Sequence, residues 1–494
     1  MARQRRQKPN LLFLFTDEQR ADTLGAYGNG RIHTPNLDRL ASESTLFERA
    51  YVTQPVCTPS RASIMTGLYP HTCGCTANNV PLRGEVPCLP EMLPGGDWAT
   101  GYLGKWHLGD EIFAQHGFEH WVSIEDMYRK HYSPPRDRAA RSDYHHFLLA
   151  RGVSPADGDA FKRPETARLA EDLSRPAFLA GQAASFIRDN ADRPFVLYVN
   201  FLEPHMPFFG PRDDQYDPDD VSLPGNFEAA PAADQHLKAR LLARHYFESG
   251  HSGLPLRTEG DWRRMIANYW GLCSLVDTHV GTILAALRDS GLWDRTIIVY
   301  TSDHGDMMGS HRLIAKSVMF EEAVRVPLLV RLPGQRDPRR VDGPVGQIDL
   351  VPTLLDLLGC EPPTLLQGAS RRAALEGGRL EGEDVFIEWN GPDSGMKGLA
   401  ADEEYPGYLA EIAGREQFAE ATVDPVRTVV TPQGWKLDLS PAGQHELYNL
   451  AADPLETANL AGTSGSRAVM ADLAGRIRRW QRRTGDEVAL PALG

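Results

Sequence analysis

Asn10-Leu11-Leu12-Phe13-Leu14-Phe15-Thr16-Asp17-Glu18 begins as an apolar run and closes on two adjacent carboxylates. The unbroken run Leu11 to Phe15 fits a strand covered on both faces, because a strand with one wet face alternates apolar and polar residues. Comparable runs stand at Phe195 to Asn200, Thr296 to Thr301 and Val326 to Arg331, and a weaker one surrounds Tyr102 and Leu103. From about Trp262 to Asp289, Ile266, Tyr269, Trp270, Cys273, Val276, Val280, Ile283, Leu284 and Leu287 recur at three- and four-residue spacing, a helix with one apolar face. Buried strands separated by such helices predict an α/β fold, with a large, mostly parallel sheet sandwiched by helices.

A chain of 494 residues has room for one large domain and a smaller one. The texture changes after about residue 370. A Gly-, Glu- and Arg-rich stretch, Glu376 to Glu383, precedes shorter strand candidates at Val385 to Trp389, Arg427 to Thr431, Trp435 to Leu439 and Glu446 to Leu450, with Gly434 as a hairpin signal. A last helix, capped by Ser466, carries Val469, Leu473, Ile477 and Trp480 on one stripe. It ends among Arg478, Arg479, Arg482 and Arg483, where cations suit the macrodipole. The expected division is 1–375 as the larger, catalytic domain and 376–494 as a small α+β domain on an antiparallel sheet. Two regions, Glu111 to Arg163 and Met206 to Gly260, lack sustained periodicity and read as long excursions of the kind that shape a pocket.

Asp and Glu outnumber Lys and Arg by 66 to 52, a net charge of −14, which argues against a broad nucleic-acid partner. Hydrophobic residues at 41% exclude a mainly disordered chain. The apolar run near the start is far short of the roughly 20 residues that span a bilayer, so no membrane partner is expected. The basic stretch Met1 to Pro9 resembles the start of an export signal, but the apolar residues after it run straight into Thr16, Asp17 and Glu18. A cytoplasmic protein is the expectation, in which Cys57, Cys73, Cys75, Cys88, Cys273 and Cys360 form no disulfide framework.

Chemistry-bearing residues gather where the strands end. Asp17 and Glu18, Lys105 and His107, Glu203 and His205, and Asp303 and His304 each follow a strand candidate, and ligands of open α/β sheets bind at that edge. Asp17 or Asp303 alone is equally a cap or turn former. Together these carboxylates and the imidazole suit a hard or borderline divalent cation. In Cys57-Thr58-Pro59-Ser60-Arg61-Ala62-Ser63, Thr58 fits an N-cap and Pro59 the first helical position. Cys57 then lies beside the positive end of a short helix that stops near Gly67, a place that favours an anion. From these residues alone Cys57 is either a buried structural cysteine or a reactive thiolate.

Cys57-x-Pro59-Ser60-Arg61 followed by Ala62-Ser63-Ile64-Met65-Thr66-Gly67 resembles the signature of the formylglycine-dependent sulfatases of the alkaline phosphatase superfamily. The other blocks of that family follow in order: Asn10 to Asp17, Gly101 to Gly109 with Lys105-Trp106-His107, Glu203-Pro204-His205, Thr301-Ser302-Asp303-His304-Gly305 and Lys316. Glu446-Leu447-Tyr448-Asn449-Leu450 through Asn459-Leu460 resembles its end. The resemblance implies an alkaline phosphatase-like fold, a maturation enzyme that oxidises Cys57 to formylglycine, and hydrolysis of a small-molecule sulfate ester. It also implies one divalent metal, calcium, held by Asp17, Asp303, His304 and the hydrate at position 57, with Glu18 a further candidate ligand. Arg61 would stabilise the charged hydrate, and Lys105 and Lys316 would neutralise the transferring group. Asn78 would touch the anion, His205 would protonate the departing oxygen, and His107 would deprotonate the second hydroxyl. That second hydroxyl is the reason for an aldehyde hydrate, since a serine would stall as a stable sulfate ester.

Two positions depart from the commonest pattern of the family. Glu18 stands where many members have Asp, and His304 where many have Asn; both shift the preference from calcium toward manganese, iron or zinc. His304 also resembles the related phosphonate monoester hydrolases and phosphodiesterases, the alternative reading, whereas Lys105, His107 and Lys316 form the sulfatase-like set. The remaining candidates have plainer readings. Asn78 precedes Pro81 by three and is equally a turn residue. His71, Cys73, Cys75 and Cys88 lack the paired spacing of common zinc modules. Asp306 and His311 read as loop scaffolding and Trp106 as packing, while His131, His145 and His146, in the first excursion, could recognise substrate but read more plainly as exposed loop residues.

Overall fold

Leu11, Phe13 and Phe15 project to one side of β1 (Asn10–Asp17) and Leu12 and Leu14 to the other, and all five are fully buried in two separate cores. The first strand is covered on both faces, as its unbroken apolar run requires. The computed structural model describes residues 8–380, 382–391, 396, 399 and 405–493. Met1 to Gln7 of the basic N-terminal stretch, and position 381 of the Gly-rich one, lie outside the described residues.

The main sheet continues with β2 (Thr45–Tyr51), β3 (Ala99–Gly104), β4 (His120–Val122), β5 (Phe195–Pro204), β6 (Thr296–Ser302), β7 (Arg325–Val326), β8 (Leu328–Arg331) and β9 (Arg339–Gly346). Their order is β4-β3-β5-β1-β6-β8-β2-β7, with β9 beside β2. The first five of these run parallel, while β8 is antiparallel to both β6 and β2. The run Val326 to Arg331 is two strands and not one. Pro327 separates β7 from β8, since a proline has no N–H for the ladder.

Helices Arg175–Asp189 and Glu259–Asp289 cover the face of Leu12 and Leu14, and helices Cys57–Thr66 and Leu350–Leu357 cover the other. The Glu259–Asp289 helix begins under a capping box of Thr258 and Asp261. It is long and apolar enough to cross a bilayer, but 72% of its most apolar window is buried inside the protein, where Val276, Val280, Ile283, Leu284 and Leu287 pack on the sheet.

The second sheet is antiparallel, with β10 (Val385–Glu388), β11 (Arg427–Val430), β12 (Trp435–Leu439) and β13 (Glu446–Asn449) in chain order. The last helix, Arg467–Thr484, lays Met470, Leu473, Ile477 and Trp480 on Val429, Leu437, Leu439 and Leu447. Each such buried side chain stabilises the pair by about 1.5–3 kcal/mol. Ser466 occupies the cap position, but its hydroxyl donates to the carbonyls of Ala461 and Thr463 and caps nothing, which corrects the sequence expectation.

Arg427, on β11, ties this sheet to the segment beyond the last helix. Its Nε and Nη2 donate to the two oxygens of Asp486 at 2.9 and 2.7 Å, and Nη1 donates to the Trp389 carbonyl. Both side chains are almost fully buried. Arg427→Ala leaves Asp486 buried without its cation, so the unfolding free energy in urea is expected to fall by about 3–5 kcal/mol.

Asp17 closes β1, Gly104 closes β3, and Glu203 and Pro204 close β5, while Asp303 follows β6 directly. Four carboxyl ends therefore deliver their residues to one edge. Gly104 is required at its turn. Its φ is +116°, and a Cβ there would lie 1.9 Å from the Asn200 carbonyl oxygen on the neighbouring strand.

Candidate active site

The Cys57–Thr66 helix starts at Cys57 itself, with Val56 as the extended residue before it, and ends at Gly67 in the left-handed conformation. Thr58 is therefore not its cap. The Thr58 hydroxyl donates to the His107 carbonyl at 2.8 Å and accepts from the Asn79 N–H at 3.2 Å. The first-turn N–H of Thr58 is satisfied from outside the helix, by Asn78 Oδ1 at 3.1 Å. Every residue of this helix is buried, so Cys57 meets the positive helix end inside the protein.

Arg61, one turn further on, is fully buried and makes four strong contacts. Nη2 donates to Asp17 Oδ2 and Nε to Asp303 Oδ2, both at 2.9 Å. Nη1 donates to the Lys105 carbonyl at 2.7 Å and to Asn200 Oδ1 at 2.8 Å. These donors hold two carboxylates in place and are not aimed at residue 57.

With Oδ2 taken by Arg61 and Lys105, Asp17 turns Oδ1 toward Cys57 Sγ at 3.7 Å. His304 Nε2 lies 3.2 Å from the same sulfur, 3.8 Å from Asp17 Oδ1 and 3.7 Å from Asp303 Oδ1. Its Nδ1 contacts the Gly305 carbonyl at 2.9 Å. A carbonyl only accepts, so the proton sits on Nδ1 and Nε2 offers its lone pair, the tautomer that binds metals. Asp17, Cys57, Asp303 and His304 thus place four ligand atoms within 4.8 Å of one another, all buried. Two carboxylate oxygens and an imidazole nitrogen fit a divalent cation.

Glu18 is turned aside from this group, with φ +69°. Its Oε2 accepts from Lys316 Nζ at 2.8 Å and lies 3.4 Å from His205 Nε2, and it forms a second possible ligand group with Asp17 and His205. Its Oε1 is buried beside the Asp306 carboxyl, with which it can share a proton. Burial pushes Glu18 up to about 8 against the pull of Lys316, with Asp306 adding to the rise. Asp306, read from the sequence as scaffolding, belongs to this arrangement.

Burial, and then Asp17, push the Cys57 thiol up to about 12. Burial works against the charges of Lys105 and Lys316, yet Asp17 and Cys57 hold Lys105 up, and Cys57 and Glu18 do the same for Lys316. His107 and His205 go the other way. Burial, and then Lys105 for His107 and Lys316 for His205, hold both imidazoles well below their ordinary value. Met206 O, 2.8 Å from His205 Nδ1, fixes the proton there and leaves Nε2 facing Glu18.

The structure thus brings together Asp17, Glu18, Cys57, Arg61, Lys105, His205, Asp303, His304 and Lys316. His107 lies beside them with φ +59°, its backbone N–H and that of Trp106 held by the Glu111 carboxylate at 2.6 and 2.8 Å. Several contributors carry no signal in the sequence. Asn200 is a mid-strand residue that holds Arg61. Tyr128 packs on the His107 ring at 4.5 Å, and Arg163 reaches His205 Nδ1 at 3.4 Å. His71 instead pairs with Glu388, and His311 stacks on Phe320. Cys88 groups with Glu91 and His116 and not with His71.

Residues 9–360 match the family model described as Sulfatase. An uncharacterized sulfatase of Escherichia coli, YidJ, is 30% identical over 92% of this chain and 83% of its own. An N-acetylglucosamine-6-O-sulfatase of Bacteroides thetaiotaomicron is 26% identical over 92% of this chain and 83% of its own. Among solved structures, the phosphonate monoester hydrolase of Silicibacter pomeroyi superposes with a TM-score of 0.76 at 25% identity, over 97% of this chain and 96% of that one.

Proposed function

Because the chain belongs to the sulfatase family, we infer that it hydrolyses a sulfate monoester at the buried group of Cys57, Asp17, Asp303 and His304. The observation that carries this reading is Cys57 itself. It stands at a buried helix start with its sulfur 3.2 Å from His304 Nε2 and 3.7 Å from Asp17 Oδ1, inside the group of possible metal ligands. A maturation enzyme of the family would oxidise Cys57 to formylglycine at this place. In its hydrated form, one oxygen attacks sulfur as the bond to the alcohol oxygen breaks, and the second hydroxyl, on losing its proton, expels sulfate and restores the aldehyde. A divalent cation held by Asp17, Asp303 and His304 with residue 57 would draw in the sulfate oxygens and acidify the attacking hydroxyl, while Glu18, expected from the sequence as a further ligand, pairs with Lys316 beside them.

The protein's own groups do the rest. Lys105 and Lys316, kept cationic by Asp17 and Glu18, receive the anion. Asn78 stands at the same helix start. His205 keeps the one proton of its neutral ring on Nδ1 against the Met206 carbonyl, so its Nε2 would have to take up a proton before it could pass one to the departing oxygen. His107, held neutral, is free to take the proton of the second hydroxyl. Arg61 keeps Asp17 and Asp303 aimed. The six free cysteines support the cytoplasmic location we assign. A singly charged phosphonate monoester or phosphodiester is the second reading, favoured by His304 after Asp303 and by the hydrolase superposition.

Peptide mass spectrometry of protein from its native host tests the nucleophile. An aldehyde or its hydrate at position 57 is the expected result, and wholly unmodified cysteine in active enzyme contradicts it. Chelation is expected to abolish turnover, and reloading with calcium, manganese or zinc to raise the unfolding midpoint, most for the cation the site prefers. The histidines set the pH response. A depressed His107 is neutral through the neutral range, so the acid limb of kcat is expected below the ordinary value of about 6.5. The unfolded chain takes up a proton at this position below that pH and the folded one refuses it. His107→Gln should therefore lose less stability than the parent between about pH 7.5 and about pH 5.5 in urea titrations.

A further inference from the structure

Next to the anion site, the excursion from Glu111 to Arg163 encloses a cavity of about 540 Å³. Arg163 joins the two. Its Nη2 donates to the Tyr128 hydroxyl at 2.9 Å and to Glu125 at 2.7 Å, and its Nη1 lies 3.4 Å from His205 Nδ1. Met206, the neighbour of His205, and His251 form part of the same wall. Arg163 and Met206 therefore stand between the cavity and His205, the group assigned to the departing oxygen, and the use of the cavity as a subsite rests on that assignment.

Ile124, Met127, Tyr144, Phe161, Pro164 and Met206 give the cavity a mostly hydrocarbon and aromatic lining. Its charged residues cancel one another. Arg163 pairs with Glu125, Lys162 with Asp157 at 3.1 Å, Arg129 with Asp159, and Arg175 faces Glu203 at 3.7 Å. Asp126, buried and held by the Ser142 N–H, accepts from His145 Nδ1 at 2.8 Å. A second sulfate, a carboxylate or a quaternary ammonium would find no uncompensated partner here.

His145 is the exception among these closed pairs. It lines the cavity against Phe161, and with Nδ1 given to Asp126 its Nε2 has no hydrogen-bond partner among the described residues. The buried carboxylate fixes the ring, so Nε2 is a preset acceptor for one hydroxyl. A fully hydroxylated sugar would leave most of its hydroxyls unmatched against such walls, whereas one ring with one hydroxyl is matched. We propose that this cavity binds the alcohol part of the ester and selects an uncharged aromatic ring bearing a hydroxyl, which the Asp126–His145 pair receives.

Two measurements test it. Calorimetric titration of resorcinol into the protein reads the subsite without any turnover. Saturable binding is expected, weakened about tenfold in His145→Leu. In parallel, kcat/KM of matured enzyme is compared for phenyl sulfate, resorcinol monosulfate, a sulfated neutral hexose and a sulfated uronate. Resorcinol monosulfate is expected to lead, with the uronate last. Met127 is 54% exposed, so Met127→Lys is tolerated by the fold and adds an unpaired cation. It should move the uronate-to-phenyl ratio up by about tenfold. A uronate preference in the parent enzyme, or resorcinol binding indifferent to His145→Leu, overturns the subsite while leaving sulfate hydrolysis intact. Resorcinol binding that responds to His145→Leu, in an enzyme that turns over no sulfate ester, supports the subsite and overturns the sulfate reading.

Discussion

Cys57→Ala is expected to lower kcat on an aryl sulfate by about 10⁵-fold or more, the scale seen when a covalent nucleophile is removed. The rest of the site survives this change. Asp17 and Asp303 keep Arg61, Lys105 keeps Asp17, and His304 keeps its bond to the Gly305 carbonyl, so the folded structure and the affinity for a divalent cation should be largely retained. Initial rates alongside urea unfolding separate the two effects. Cys57→Ser extends the test. A serine oxygen can take the sulfuryl group but has no second hydroxyl to expel it, so at most one turnover and a sulfated protein in the intact mass spectrum are expected. Repeated turnover by either variant contradicts the nucleophile assigned to position 57.

Arg61→Ala is expected to damage both stability and activity. The guanidinium is fully buried and bridges Asp17 and Asp303, which are themselves fully buried. Its loss leaves two carboxylates facing each other with Lys105 as the nearer cation to Asp17 alone, and the Lys105 carbonyl and Asn200 Oδ1 lose their donor. Breaking a buried pair in this way costs about 3–5 kcal/mol, measured as the change in unfolding free energy in urea. Arg61→Lys should recover little of it, because one ammonium cannot reach four acceptors arranged around a planar fork. An Arg61→Ala protein of unchanged stability would mean that the two carboxylates do not need this cation.

The parts legible in the sequence are those whose signal is local. Leu11 to Phe15 declares a strand covered on both faces because five adjacent side chains are apolar, and the two cores on either side of β1 are the consequence. Asp17, Lys105, His205 and Asp303 could be placed because each follows a strand, and parallel strands bring their carboxyl ends to one edge. Local signals also misled. Ser466 and Thr58 are good cap residues by type, but nearer partners claim their hydroxyls. Pro327 was hidden inside a run whose hydrophobicity is continuous although its hydrogen bonding is not.

What was not legible is long-range. Asn200 reaches Arg61 across 139 positions, and Arg163 reaches His205 across 42 from an excursion without periodicity. His145 reads as a loop histidine until Asp126 is seen beneath it. The net charge of −14 likewise says nothing of the site, where Arg61, Lys105 and Lys316 converge on one edge of an acidic protein.

We infer that this edge transfers a sulfuryl group. The most direct test is kcat/KM of the matured, metal-loaded protein on an aryl sulfate and on an aryl phosphonate monoester with the same leaving group. Faster turnover of the sulfate is expected, with the phosphonate as a weak side activity. A preference for the phosphonate by several orders of magnitude would contradict it.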